Sequence, residues 1–453
     1  MKKLGILGIG ESGVGAALLA QKHGWEVFLS DGGRPIARYL EAVASQGWRF
    51  EVGRHSFDEL RSCDTIVKSP GIAQNVPVVV DLRKLGVEVI SEIEWAYRFC
   101  SSPNIIAVTG TNGKTTTATL IHRILSASGV DTALCGNIGR SFSAQVAEAP
   151  AEWYVVETSS FQLEDVVRFR PKVAVFTNLY PNHLNRYEGS MEKYAAAKMR
   201  LLENLQADDF VAAYYDSPML RAALEARRPQ TPAQFHYYSE KYSDGLSAWM
   251  EDKQLIFVDM KGNKRSSSLD NESLLSPPNN QNVTGAWLAA ELVHCRNENL
   301  REILSGFENV EHRLERVRFL DGVAYLNDSK ATTVNAAWYA LDRFDSPIIW
   351  IMGGQDKGND YGELLPLVKQ KVKALIALTK DAEKIRAAFA GVVPTFIHVT
   401  DMNEAVRIAH SLAVADDIVL LSPACASFDL FDSYEHRGNA FKQAVSALPE
   451  TKS

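Results

Sequence analysis

Twice in its first third, this chain runs an apolar stretch straight into a glycine-rich loop that opens a helix. The first copy is a strand over 4–8 followed by Gly8-Ile9-Gly10-Glu11-Ser12-Gly13-Val14-Gly15. The second is a strand over 105–109 followed by Gly110-Thr111-Asn112-Gly113-Lys114-Thr115. Such units build parallel sheets, since a helix must cross back over the sheet between neighbouring strands. They also build anion sites, because glycines let phosphates approach the free N–H groups at a helix N-terminus. The first loop alone also fits a tight turn with no ligand. With Asp31 after the second strand as a ribose contact, it equally fits an NAD-linked dehydrogenase. The second loop adds a lysine for phosphate and Thr115 for Mg²⁺, although it lacks the leading glycine of the eight-residue phosphate loop, where Val108 stands.

The alternation continues along the chain and divides it. A helix to residue 23 and strands over 25–30 and 87–90 extend the first segment, which a small, polar run over 98–104 closes. Beyond it we expect a helix over 115–128, strands over 153–157 and 173–178, a helix over 191–205, a hairpin-like piece at 254–258 and a helix over 283–295. After a second boundary at 296–300 come strands over 322–327, 347–352, 374–378 and 417–421, with helices over 334–344 and 381–390. The expected fold is α/β in three domains. These are a Rossmann-like domain over 1–100, a phosphate-loop domain over 101–297 with a parallel sheet and a small β-rich portion, and a second Rossmann-like domain over 298–453.

Composition narrows the partners. The 453 residues carry a formal net charge of -7, which argues against general binding to nucleic acid or anionic membranes. Five scattered cysteines without a CxxC pair indicate neither a disulfide framework nor a zinc site, so a reducing compartment fits. The opening Met1-Lys2-Lys3 imitates a secretory leader, yet Gly5, Gly8 and Gly10 interrupt any apolar helix. Without an apolar stretch long enough for a membrane span, we expect a cytoplasmic protein, and a monomer.

Further motifs make the resemblance specific. Glu157-Thr158-Ser159-Ser160-Phe161-Gln162-Leu163-Glu164, Gly136-Asn137-Ile138-Gly139, Asn327-Asp328-Ser329-Lys330-Ala331-Thr332, Gly353-Gly354-Gln355-Asp356-Lys357 and Ser422-Pro423-Ala424-Cys425-Ala426-Ser427-Phe428 follow the shortened phosphate loop in order. Together they resemble the Mur ligase family, from residue 8 to about residue 437. The serine-containing element at 422–427 resembles the branch that adds D-glutamate. Another amino-acid-adding branch, a folylpolyglutamate synthetase-like ligase and, outside ligases, the dehydrogenase or a non-catalytic nucleotide-binding regulator are the alternatives.

The resemblance implies ATP-dependent joining of D-glutamate to UDP-N-acetylmuramoyl-L-alanine through an acyl phosphate, with two Mg²⁺ ions. It assigns ATP to Gly110, Thr111, Asn112, Gly113, Lys114, Thr115, Thr116, Asn282, Arg313, Asp328 and Lys330. The UDP-sugar falls to Gly10, Ser12, Gly13, Val14, Asp31, Gly32, Gly33, Ser69, Gly71, Asn137 and His183. D-Glutamate falls to Thr332, Lys357, Ser427, Phe428 and Tyr434. Metal falls to Thr115, Glu157, His183 and Lys198, and catalysis to Lys114, Glu157, His183, Lys198, Arg313 and Lys330. A helical lysine alone reads as solvated, whereas the resemblance makes Lys198 a carbamylated ligand. The chain departs from the family pattern at Tyr180, Asn182, Asn185, Gln281 and Gly285. The amides at 182 and 185 imply weaker orientation of His183, and Gly285 implies a lost adenine contact.

Overall fold

The computed structural model describes residues 2–101, 104–184, 186–259, 261–295, 300–307, 311–356 and 358–449. They group into two compact bodies. One comprises Met1–Leu179 with Ser190–Phe307, the other Tyr180–Gly189 with Glu308–Ser453.

The first body holds two sheets. Strands β1 (Lys3–Leu7), β2 (Glu26–Asp31), β3 (Arg49–Val52), β4 (Thr65–Lys68) and β5 (Glu88–Ser91) are all parallel, in the order β3-β2-β1-β4-β5. The order reverses at β1, so the loops after β1 and β4 part there and leave a crevice at their carboxyl ends. The second sheet contains β6 (Ile105–Thr109), β7 (Thr132–Gly136), β8 (Trp153–Glu157), β9 (Val173–Phe176), β10 (Phe210–Tyr214), β11 (Gln234–Ser239), β12 (Ala248–Glu251), β13 (Gln254–Val258) and β14 (Lys264–Ser268). Their order is β14-β13-β12-β11-β10-β9-β6-β8-β7. Strands β6 to β12 are parallel, while β12, β13 and β14 pair antiparallel and supply the β-rich extension. The strand β6 is buried throughout, as its run of Ile, Ile, Ala and Val requires of a central parallel strand.

Buried polar contacts tie the two sheets of this body together. Glu94, fully buried, accepts the N–H groups of Val167, Arg168 and Phe169 on one carboxylate oxygen at 2.8–2.9 Å. Lys68 Nζ lies 3.1 Å from Asp165 with both side chains almost wholly out of solvent. Arg83 also pairs with Asp165, and Lys68 Nζ donates to Ile72 O at 2.8 Å, so several partners share these buried charges.

The second body is built on β15 (Glu315–Leu320), β16 (Val323–Asn327), β17 (Ile348–Met352), β18 (Val372–Leu378), β19 (Thr395–Val399) and β20 (Ile418–Leu421). Their order is β15-β16-β20-β17-β18-β19, parallel except for the β15/β16 hairpin. Two apolar clusters cover its faces, one around Trp350 and Phe389, the other around Tyr325 and Phe441. Among the described residues no helix is long and apolar enough to cross a membrane.

Candidate active site

The densest chemistry lies at the carboxyl end of the central sheet. The phosphate loop leaves β6 with Gly110 at φ +147° and enters helix Lys114–Ala127 through Gly113 at φ +82°, backbone shapes that L side chains rarely adopt. Thr177 and Asn178, just past β9, hold the loop. Thr177 Oγ1 donates to Asn112 O at 2.6 Å, and Asn178 Oδ1 accepts the Asn112 N–H at 2.9 Å. Lys114 curls back, with Nζ 2.8 Å from Thr111 O and 3.1 Å from Gly110 O. A side chain on Gly113 would collide with Asn282, so the first turn of helix Asn279–Leu292 caps the loop.

Strand β8 lies between β6 and β7, which places Glu157 at its end opposite Val108 and Gly136. The side chain is buried. One oxygen accepts Asn137 Nδ2–H at 2.8 Å, and the other, also buried, has no hydrogen-bond partner. Thr116 Oγ1 is likewise buried without one. An unpaired buried carboxylate oxygen is costly unless something fills the place. Hard oxygen donors from Glu157 and the Thr115 hydroxyl suit Mg²⁺.

Lys198, on helix Met191–Met199, is buried rather than solvated, at 2% exposure. Its Nζ donates to Gly110 O at 2.8 Å and lies 4.9 Å from the Tyr194 ring centre. Burial first, then the Lys114 charge, push its pKa well below that of an ordinary lysine, while Glu157 opposes them. The solvated reading of this helical lysine is therefore wrong, because Tyr194, one turn earlier, covers it.

At the amino-terminal sheet a cavity of about 880 Å³ opens over the crevice at β1. Gly10, Asp31, Gly32, Gly33, Ser69 and Gly71 line it; Ser12, Gly13, Val14 and Asn137 do not. Gly13 instead packs its backbone against Gly8 O. Asp31 also serves the loops, accepting Ile9 N–H at 2.7 Å on one oxygen and Gly33 N–H at 2.8 Å on the other. His55 lines this cavity too, and no motif marked it; the paired glycines at 32 and 33 were the available signal.

In the second body, three motif loops emerge side by side, because β20 lies between β16 and β17. Arg437, buried, ties them together through Ser329 O at 2.9 Å, Gly353 O at 3.3 Å and Cys425 O at 3.1 Å. Lys330 Nζ meets Tyr434 Oη at 3.1 Å. Asp328 accepts Ser422 Oγ–H at 2.9 Å and Leu314 N–H at 3.2 Å. Burial raises its pKa to about 7 against the pull of Arg313, whose Nε is buried without a hydrogen-bond partner. Ser427 is buried, Thr332 half-buried and Phe428 exposed at 67%. Lys357 and Asn185 lie outside the described residues.

His183, at φ +56°, belongs to this second body and lines a cavity of about 240 Å³ with Tyr180, Asn182, Thr333, Asn335 and Asp360. Asn182 accepts the His183 backbone N–H at 2.9 Å, so the amide in place of the family's aspartate fixes the main chain there. Gly285 is explained by packing, since a Cβ would come within 2.5 Å of the Tyr238 ring.

Family models agree with this layout. The "Mur ligase MurD-like, N-terminal domain" matches residues 2–91, the "Mur ligase middle domain" 108–282 and the "Mur ligase, glutamate ligase domain" 312–425. The UDP-N-acetylmuramoylalanine--D-glutamate ligase of Christiangramia forsetii is 42% identical over 99% of this chain and 100% of its own length. That of Porphyromonas gingivalis is 41% identical over 98% of each. The solved UDP-N-acetylmuramate-alanine ligase MurC from Thermotoga maritima, 15% identical, shares the fold with a TM-score of 0.62 over 99% of this chain and 100% of its own. The chain belongs to the Mur ligase family, among its UDP-N-acetylmuramoylalanine--D-glutamate ligases.

Proposed function

We infer that the chain joins D-glutamate to the L-alanyl carboxylate of UDP-N-acetylmuramoyl-L-alanine, with ATP converted to ADP and phosphate, in peptidoglycan precursor synthesis. Relatives named for this ligation match it end to end at about 40% identity. The observation that carries the chemistry is the buried, open oxygen of Glu157 beside the phosphate loop. A dehydrogenase would give Glu157, Lys114 and buried Lys198 no work.

A carboxylate and an amine at neutral pH form a salt, not an amide, so the acid must first become a better acyl donor. Phosphorylation by ATP supplies one: the alanyl oxygen takes the γ-phosphoryl group and ADP leaves. The D-glutamate nitrogen then attacks the acyl carbon, loses a proton and expels phosphate. Negative charge moves at every step, so the protein's share is positioning and electrostatic stabilisation.

In this reading Lys114 and the loop amides from Gly110 to Thr116 hold the triphosphate, with Asn282 beside them. Thr115 and Glu157 would hold one Mg²⁺, and the resemblance gives His183 and carbamylated Lys198 to a second. Mg²⁺ neutralises phosphate charge and polarises the phosphoryl oxygens. The resemblance gives Arg313, Asp328 and Lys330 to ATP, and Thr332, Lys357, Ser427, Phe428 and Tyr434 to D-glutamate. The cavity at β1 takes the UDP-sugar, with its diphosphate at the glycine loop; the resemblance gives Asn137 and His183 to the same substrate. Residues 1–100 thus serve chiefly the UDP-sugar, 101–297 chiefly ATP and 298–453 chiefly D-glutamate. We take the working unit to be one chain in the cytoplasm.

The test is amino-acid choice. Phosphate release from ATP with UDP-N-acetylmuramoyl-L-alanine should depend on D-glutamate, with L-alanine or a diamino acid at least about a hundredfold slower. Equal turnover with L-alanine would place the chain in another branch.

A further inference from the structure

Behind the cavity at β1 lies a hydrogen-bonded relay that ends on His55, one of the lining residues. Ser30, fully buried on β2, has its Oγ 2.8 Å from Glu51 Oε1, 3.3 Å from Arg54 O and 2.7 Å from His55 Nδ1. One hydroxyl proton cannot serve all three. Glu51 is the strongest acceptor of the set. Burial raises its pKa, but the backbone and hydroxyl of Ser56 and the hydroxyl of Ser30 outweigh that, and the carboxyl ends below its ordinary value. Hydrogen bonds to an ionised acceptor are about twice as strong as neutral ones, so the Ser30 proton goes to Glu51. The Ser30 oxygen must then accept, and its only donor among these three is the imidazole Nδ1–H.

This fixes which ring nitrogen of His55 carries the shared proton. With the proton on Nδ1, Nε2 is a bare acceptor. Nε2 is turned toward Gly32, where a Cβ would approach it to 2.8 Å, and both residues line the cavity. Asp31, the acidic residue in the lining, is tied to the loops by a backbone N–H on each oxygen. His55 stands past the end of β3, and β3 pairs with β2, whose last residue is Asp31. That is the side of the crevice away from the diphosphate loop, where a nucleoside would extend.

We propose that His55 is a specificity-determining residue whose Nε2 accepts the imide N3–H of uracil, with Ser30 and Glu51 as positioning residues that hold its tautomer. Uracil offers a donor at N3. Cytosine offers a lone pair there and would meet acceptor with acceptor. The proposal rests on the UDP-sugar reading of this cavity and adds to it the atom that reads the base.

The experiment measures dissociation constants of the full-length protein for UDP, CDP and N3-methyl-UDP by calorimetry, in wild type, His55→Leu and His55→Gln. Wild type should prefer UDP over both analogues by about tenfold or more, the effect of leaving a desolvated acceptor unpaired. His55→Leu should weaken UDP about tenfold, leave CDP within a factor of two, and so erase the preference. His55→Gln, whose amide oxygen can replace the acceptor, should keep part of it. An unchanged UDP-to-CDP ratio in His55→Leu would overturn the proposal. Equal losses for UDP and CDP would also overturn it, by showing that Nε2 serves the ribose. Failure of wild type to bind UDP at all would instead sink the underlying assignment of the cavity. Circular dichroism of each variant separates misfolding from lost recognition.

Discussion

Glu157→Gln should lower the turnover number by about two to three orders of magnitude while the protein stays folded. The amide keeps the size of the side chain, and its oxygen can still accept the Asn137 Nδ2–H that Glu157 takes at 2.8 Å. What is lost is the charge on the buried oxygen that has no protein partner. A bound Mg²⁺ ion would lower the phosphoryl-transfer barrier by several kcal/mol, and each ~1.4 kcal/mol is a factor of ten in rate. A second readout sharpens the test. Removing an unpaired buried charge should leave the thermal midpoint of the ligand-free protein unchanged or higher. The increase in midpoint that Mg²⁺ and ATP give to wild type should shrink in the variant. Wild-type rates at limiting Mg²⁺ would take Glu157 out of the site.

Lys198→Ala should be close to inactive and should regain activity with short carboxylic acids. The physical case begins with burial. Nζ lies in the interior within electrostatic reach of Lys114 and Glu157, and desolvation with the Lys114 charge holds its pKa well below the ordinary value. A lowered pKa raises the share of unprotonated amine at a given pH. The lone pair can then attack CO₂: a nitrogen–carbon bond forms, one proton departs, and a neutral amine becomes a carbamate anion. An anionic oxygen pair suits a site that must hold Mg²⁺ beside phosphates, where an ammonium would repel it. In Lys198→Ala, acetate or formate can occupy the vacated space and supply such oxygens. Full activity in the variant would return Lys198 to a packing role. So would failure of rescue, combined with no CO₂-sized mass increase on the native wild-type protein.

The two strand–loop–helix units were legible because apolar runs, glycines and helix starts coincide within a few residues. The observed β6 matches the expected strand over 105–109, and the helix after it begins at Lys114, one residue before expected. Glu157 was placeable at a strand end, since the expected strand over 153–157 matches β8. The second half of the site was harder, for physical reasons. Helix Asn279–Leu292 starts four residues before the expected position, since Asn279, Asn280, Gln281 and Asn282 read as loop by propensity. The helix is buried on every side, so it lacks the apolar stripe that would mark it. The helix expected over 191–205 stops being α-helical at Met199 and continues as a short 3₁₀ turn to Leu202.

Other features depend on long-range contacts that no local pattern carries. Lys198 donates to Gly110 O, 88 positions away in sequence, and Gly285 is dictated by Tyr238, 47 positions away. His55 acquires its orientation from Ser30 and Glu51. The segment Tyr180–Gly189, in the middle of the expected central domain, groups with the second body. Within that body His183 lines a cavity with Thr333, Asn335 and Asp360.

The central claim is that this chain makes an amide by first phosphorylating the alanyl carboxylate, and one isotope measurement tests it most directly. UDP-N-acetylmuramoyl-L-alanine carrying heavy oxygen in that carboxylate is turned over with ATP and D-glutamate, and the released phosphate is examined by mass spectrometry. The account predicts one heavy oxygen in each phosphate released, because the bridging oxygen of the acyl phosphate leaves with phosphorus when the amine displaces it. Phosphate without label, alongside normal amide product, would contradict it.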